Sequence, residues 1–203
     1  MKIICIGLNY INHARELKLP LPDVPLFFLK PETSLVTGNN PFPYPDFSKD
    51  VHYETELVIK ISAVAKNIAA ERAHEYYNEI TLGLDMTARD LQREAMEKGL
   101  PWEPSKAFDF AAPVGLFNPL EYYNNINNLE FNLLVNGKLR QKGNSSDLIF
   151  GFNDIVSYLS KFITLYPGDL IFTGTPTGVG AVSKGDVLEA FLAGEKLLHC
   201  EVV

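Results

Sequence analysis

Short apolar runs broken by Gly, Pro and Asn dominate the pattern along this chain, and they predict more strands than helices. Residues 2–6 read as a strand closed by Gly7. Residues 26–29 read as another, set inside a proline-rich stretch from Pro20 to Tyr44. Residues 52–64 form one long strand pattern, and residues 80–84 a strand that delivers Asp85 at its end. Residues 129–135 and 138–141 flank Asn136-Gly137, a pair suited to the left-handed backbone of a tight hairpin. Pro167-Gly168-Asp169 turns the chain into a strand at 170–173, with several short strands beyond it. Helical spacing is confined to residues 12–19, 68–77 and 154–162, and to a segment opened by Thr87-Ala88-Arg89-Asp90 as a capping box and stopped at Gly99. Strands and helices do not alternate in the βαβ manner. The expectation is a predominantly β fold with packed helices, in a single domain over residues 1–203.

Bulk properties narrow the functional classes. At 203 residues with 46 % hydrophobic and 21 % charged positions, the chain has material for an ordinary core. A net charge of -7 argues against nucleic acid or an anionic membrane as partner, since either needs a basic patch. No apolar stretch reaches membrane-spanning length, and the apolar start is too short for a secretory signal. Cys5 and Cys200 lie in apolar, strand-like contexts without zinc spacing, and read as buried reduced thiols. A cytoplasmic protein is expected. Neither a P-loop nor a G-x-G-x-x-G turn is present, which disfavours nucleotide binding.

Candidate chemistry begins at His52-Tyr53-Glu54-Thr55-Glu56. On a strand His52, Glu54 and Glu56 share one face, and two neighbouring carboxylates repel unless water or a cation intervenes. Oxygen ligands select hard ions such as Mg²⁺, Mn²⁺ or Ca²⁺; the plain alternative is a solvated strand face. Asp85 offers a third carboxylate, or else a turn aspartate. Arg89 and Gln92, three apart, share a helix face that can present a guanidinium fork and an amide to a carboxylate or carbonyl, or can simply face solvent. Lys106 lies among proline and aromatic residues as a cation for an anionic substrate, or as a snorkelling lysine. The glycine- and hydroxyl-rich run from Thr173 to Gly180 can hold a carboxylate on exposed N–H groups and hydroxyls. His13 and Glu16 are neighbours on one helix face, the arrangement of a water-activating base, or of a surface ion pair.

Taken in order, these segments resemble the fumarylacetoacetate hydrolase (FAH) superfamily. The resemblance rests on Gly7-Leu8-Asn9-Tyr10 with His13 and Glu16, Phe28-Leu29-Lys30-Pro31, His52 to Leu57, and Leu84 to Gln92. Lys98-Gly99-Leu100-Pro101-Trp102, Lys106, and Thr164 to Gly180 complete it, so that it covers nearly the whole chain. It is closest to the single-domain branch known for acylpyruvate hydrolase and oxaloacetate decarboxylase activity.

The resemblance implies an FAH-type mixed β-roll, a homodimer, and Mg²⁺ or Mn²⁺ held by Glu54, Glu56 and Asp85. It further implies that Lys106 meets the substrate's charge with Arg89 and Gln92 beside it, that Thr175 holds a pyruvyl carboxylate, and that Lys30 lies near the metal. His13 and Glu16 would sit on a lid and activate water. Leu8 departs from the pattern, because relatives often carry arginine before Asn-Tyr. The implied substrate is a small 2-oxo acid, cleaved between C3 and C4 through a metal-stabilised pyruvate enolate. Acylpyruvate hydrolysis and oxaloacetate decarboxylation both use that enolate, and isomerases, tautomerases and hydratases of 2-oxo acids are the rivals within the superfamily. A non-catalytic Ca²⁺ module is the rival outside it, weakened by the lack of a D-x-D-x-D-G loop and by the nearby Lys106 and Arg89.

Overall fold

Alternation of side chains along each strand explains how the central sheet is covered on both faces. The computed structural model describes residues 1–16 and 20–203. Its largest sheet has six strands in the order β2 (Leu26–Lys30), β1 (Ile3–Gly7), β12 (Leu170–Phe172), β5 (Thr55–Ile61), β6 (Tyr77–Leu84) and β9 (Asn118–Pro119). Only β1 and β12 run parallel among these pairs. Ile4, Ile6, Leu57, Ile59 and Ile171 point into the main core, whereas Ile3, Cys5, Val58, Leu170 and Phe172 point into a smaller cluster on the opposite face. A strand buried on both faces reads as an unbroken apolar run, as Leu57-Val58-Ile59 does.

A second sheet of four strands, β11 (Lys138–Asn144), β10 (Glu130–Val135), β14 (Val187–Leu192) and β15 (Glu195–Glu201), is antiparallel throughout. It buries Phe131, Leu133 and Val135 with Leu188, Ala190 and Leu192 in the main core. Asn136 and Gly137 turn β10 into β11 with φ of 52° and 72°, the left-handed pair that a two-residue hairpin requires. Short ladders complete the roll: β13 (Gly180–Ala181), β4 (Val51–Tyr53) and β7 (Thr87–Ala88) in one, β3 (Leu35–Val36) and β8 (Ala112–Pro113) in the other. Helices α1 (Ile11–Glu16), α2 (Arg89–Lys98), α3 (Glu103–Lys106) and α4 (Phe152–Phe162) pack around these sheets, as a predominantly β fold requires. No helix among the described residues is long and apolar enough to cross a membrane. Cys5 and Cys200 are buried and free, and burial pushes both thiols up from their ordinary value.

Three elements differ from the sequence expectation. The strand pattern of residues 52–64 is interrupted at Glu54, where the chain passes from β4, paired with β7 and β13, to β5, paired with β12 and β6. Residues 68–77 do not form an α-helix; a 3-10 segment spans Ala70–Tyr76. Its start is drawn out because the Ile68 N–H donates to Ser160 Oγ and the Ile68 carbonyl accepts from Ser157 Oγ, both on α4. Helix α2 starts without a side-chain cap, for Thr87 belongs to β7 and Asp90 accepts from Ser48 Oγ and the Lys49 N–H. Gly99, at φ 63°, closes α2 as its sequence position suggested.

Candidate metal centre

The β5–β6 ladder sets Thr55 opposite Leu84, so Glu54 and Asp85 stand side by side where the two strands end. The Asp85 N–H donates to the Glu54 carbonyl at 2.8 Å and locks that junction. Glu56 lies two residues along β5, and one oxygen from each of Glu54, Glu56 and Asp85 falls within 4.8 Å of the others. All three side chains are buried. Glu56 Oε2 accepts the Gly174 N–H at 2.7 Å. Gly174 is required there: its φ is 102°, and a Cβ would meet Asn9 Cβ at 2.7 Å. Burial first, then Asp85 and Glu54, push the Glu56 carboxyl well above the usual carboxylate range.

Cations surround two of these carboxylates but leave the third. Lys106 on α3 donates to Glu54 Oε2 at 2.9 Å, Asp85 Oδ2 at 2.6 Å and Thr87 Oγ1 at 2.7 Å, so all its ammonium hydrogens are engaged. Burial works against its charge, yet Asp85 and Glu54 outweigh burial and hold it well above the ordinary lysine value. Arg89 pairs with Glu54 Oε1 and donates to Gln92 Oε1. Lys30 lies 2.8 Å from Asp85 Oδ1, but its hydrogens go to the carbonyls of Met86, Lys106 and Ala111. Asp85 Oδ1 is therefore buried without a hydrogen-bond donor, and no salt bridge reaches Glu56 among the described residues.

That orphaned oxygen, an unpaired buried carboxylate and an all-oxygen donor set fit a hard divalent ion such as Mg²⁺ or Mn²⁺. The centre opens on a cavity of about 400 Å³ whose wall includes Glu54, Glu56, Asp85, Arg89, Lys106 and Thr175. Gln92 lines it too, with its carbonyl end on Arg89 and its amide hydrogens unpartnered among the described residues. Leu8, Phe28, Met96 and Trp102 give the same cavity an apolar side.

The family model described as fumarylacetoacetate (FAA) hydrolase C-terminal matches residues 2–203. The chain belongs to the fumarylacetoacetate hydrolase family. It is 42 % identical over 194 residues to the mitochondrial oxaloacetate decarboxylase of Dictyostelium discoideum, covering 95 % of this chain and 89 % of that protein. It is 41 % identical over 192 residues to the mitochondrial oxaloacetate tautomerase FAHD1 of Bos taurus, covering 95 % and 87 %. The crystal structure of fumarylpyruvate hydrolase from Pseudomonas aeruginosa in complex with Mn²⁺ and pyruvate superposes with a TM-score of 0.94 at 40 % identity, covering all of this chain and 89 % of that one. The mixed β-roll is the FAH fold.

Within this FAH-family site the remaining sequence candidates fall in different places. Thr175 lines the cavity, donating to the Thr55 carbonyl and accepting from Gln141 Nε2, each at 2.9 Å. Lys30 does not line it; the side chain lies behind Asp85, wholly buried. His52 lines it, with Nε2 2.9 Å from Asp50 Oδ1, and burial lowers its basicity ahead of the nearby Arg89. Glu16 sits at the end of α1, exposed and away from the cavity wall, and the His13 side chain lies outside the described residues.

Three residues that sequence reasoning passed over also shape the FAH-family site. Thr87 receives Lys106. Asn9 Nδ2 donates to the carbonyls of Thr173 and Phe150, anchoring the strand end before Gly174. Gln141 bridges Thr55 and Thr175. Asn9 and Thr87 lie in runs that carried the family resemblance, although Thr87 itself resembled a helix cap; Gln141 resembled an ordinary hairpin residue.

Proposed function

We propose that this chain is a divalent-metal-dependent enzyme of small 2-oxo acids, cleaving the C3–C4 bond of acylpyruvates and decarboxylating oxaloacetate by the same enolate chemistry. The observation that carries the reading is the buried Glu54–Glu56–Asp85 cluster, with Asp85 Oδ1 lacking a donor and Lys106 directly beside it. The names of the relatives, an oxaloacetate decarboxylase and a fumarylpyruvate hydrolase bound to Mn²⁺ and pyruvate, support it.

Glu54, Glu56 and Asp85 would hold a divalent ion, and its positive charge would favour the enolate over the keto acid. The residues of the chain do the rest. Lys106 stays protonated and places its charge beside the developing enolate oxygen, acting as an electrostatic partner rather than a base. Arg89, fixed by Glu54, orients Gln92 so that its amide hydrogens face the 2-oxo acid. Thr175, which also lines the cavity, holds the substrate carboxylate. The apolar side chains of Leu8, Phe28, Met96 and Trp102 receive the acyl group and exclude water from it. In hydrolysis α1 closes over the cavity as a lid, so that His13, supported by Glu16, takes the proton of a water attacking the C4 carbonyl; the C3–C4 bond then breaks to release the carboxylic acid, and C3 is protonated to give pyruvate. Decarboxylation releases CO₂ from C4 and leaves the same enolate, without an attacking water. The active species in this proposal is a homodimer, which light scattering measures directly.

A second reading, oxaloacetate tautomerase, is favoured by the FAHD1 relative and by a site that stabilises an enolate without needing water. One assay separates the readings. Metal-stripped protein is given acetylpyruvate or oxaloacetate, with and without Mg²⁺ or Mn²⁺, and pyruvate is measured. Metal-dependent pyruvate release from either substrate is expected. Keto–enol interconversion of oxaloacetate without pyruvate release would establish the tautomerase instead. Activity equal with and without added metal would overturn both.

A further inference from the structure

Gln141 belongs to the four-stranded sheet, yet its side chain reaches the metal centre from behind. It is buried, and its amide is fully engaged: Oε1 accepts the Thr55 N–H at 2.9 Å, while Nε2 donates to Thr175 Oγ1 at 2.9 Å and to the Pro176 carbonyl at 3.0 Å. Thr55 is the residue between Glu54 and Glu56. The Thr175 hydroxyl donates back to the Thr55 carbonyl at 2.9 Å, which closes a ring of Gln141, Thr55 and Thr175.

We propose that Gln141 is a positioning residue that sets the distance between the carboxylate cluster and the Thr175 hydroxyl, and so fixes where a 2-oxo acid's carboxylate can lie. This rests on the reading of the site given above. In the closed ring the single hydroxyl proton of Thr175 points to Thr55, not to the cavity. Binding a carboxylate requires that proton to turn away, and the Gln141 Nε2 contact keeps the oxygen in place while it does so. The same segment is also packed tightly at Gly178, which at φ 94° lies so close to β11 that a Cβ would meet the Arg140 carbonyl oxygen at 2.3 Å. The amide also satisfies the buried Thr55 N–H and Pro176 carbonyl, so the test has to separate positioning of Thr175 from this scaffold role.

The test uses full-length protein, with Mn²⁺ alone and then pyruvate as the probes, followed by calorimetry. Gln141→Met is expected to weaken pyruvate binding to the Mn²⁺-loaded protein about tenfold, while Mn²⁺ affinity changes less than about threefold. Thr175→Val is expected to weaken pyruvate at least as much, and the double variant to bind pyruvate no worse than Thr175→Val alone, because Gln141 acts through Thr175. Losses that multiply in the double variant overturn the proposal. So does unchanged pyruvate binding in Gln141→Met, or a parallel fall in Mn²⁺ affinity, which marks a scaffold role. If Gln141→Met does not fold, Gln141→Asn withdraws the amide from Thr175 without adding a charge, and the same pattern is required of it. A wild-type protein that binds Mn²⁺ but not pyruvate defeats the underlying reading and this proposal together; one that binds both but fails the variant pattern defeats this proposal alone.

Discussion

The Lys30 ammonium lies 2.8 Å from Asp85 Oδ1 and yet gives it no hydrogen. Its three hydrogens are taken by the carbonyls of Met86, Lys106 and Ala111, so the lysine contributes charge to the aspartate while leaving the oxygen's lone pairs to an ion. Replacing it leaves Asp85 to Lys106 alone and strands three buried carbonyls. Lys30→Met is expected to cost about 3–5 kcal/mol of stability, the usual penalty for breaking a buried pair from one side. Urea denaturation of the metal-free protein measures it, and a loss below about 1 kcal/mol would show that Lys30 does not neutralise Asp85.

Glu56 makes the metal-free protein sensitive to pH. Burial, Asp85 and Glu54 raise its folded-state pKa well above the ordinary 4.5, so the native state holds a proton that the unfolded chain has released. Stability of the metal-free protein must then fall as pH rises from about 4.5 toward the raised folded value. Glu56→Gln removes that dependence. The variant is expected to be more stable than wild type near neutral pH without metal, and to lose metal binding. Denaturation midpoints across pH, with and without Mn²⁺, provide the check; a flat wild-type profile would contradict it.

Lys106 should act as a permanent cation. Its folded pKa is raised above the ordinary 10.5 by Asp85 and Glu54 despite burial, so its electrostatic contribution is complete below that value and fades only above it. Denaturation of the metal-free protein should therefore show no loss of stability from this lysine below pH 10. Lys106→Met is expected to lower kcat by about 10²–10³, because a preorganised positive charge beside the enolate is lost. Pyruvate release by the variant at saturating Mn²⁺ tests the magnitude.

His13 is expected to separate the two proposed reactions. Hydrolysis needs a base for water, whereas decarboxylation does not. His13→Ala is expected to reduce acetylpyruvate hydrolysis by about 10²-fold or more, and oxaloacetate decarboxylation by less than about tenfold. Parallel assays of both substrates decide it, and equal losses would remove His13 from the water-activating role.

The legible part of the site was local. Glu54 and Glu56 stand out because period-two spacing puts both on one strand face, and Asp85 because a strand ends there. Arg89 and Gln92 stand out because three-residue spacing aligns them on one helix face. Elsewhere local spacing misled. Thr87 has the sequence context of a cap, but its hydroxyl receives Lys106 instead, and residues 68–77 have helical periodicity but surrender the Ile68 backbone groups to serines of α4.

What the sequence by itself determined was the predominance of strands, the Asn136-Gly137 hairpin and the identity of the acidic and cationic groups, because each follows from neighbours a few residues apart. Only the tertiary structure decided that the strand breaks at Glu54, that Lys30 backs Asp85 across 55 positions, and that Gln141 joins Thr55 to Thr175 across separations of 86 and 34. Those contacts arise where buried polar groups must find partners from whichever element packs against them, and no periodicity along the chain records that choice.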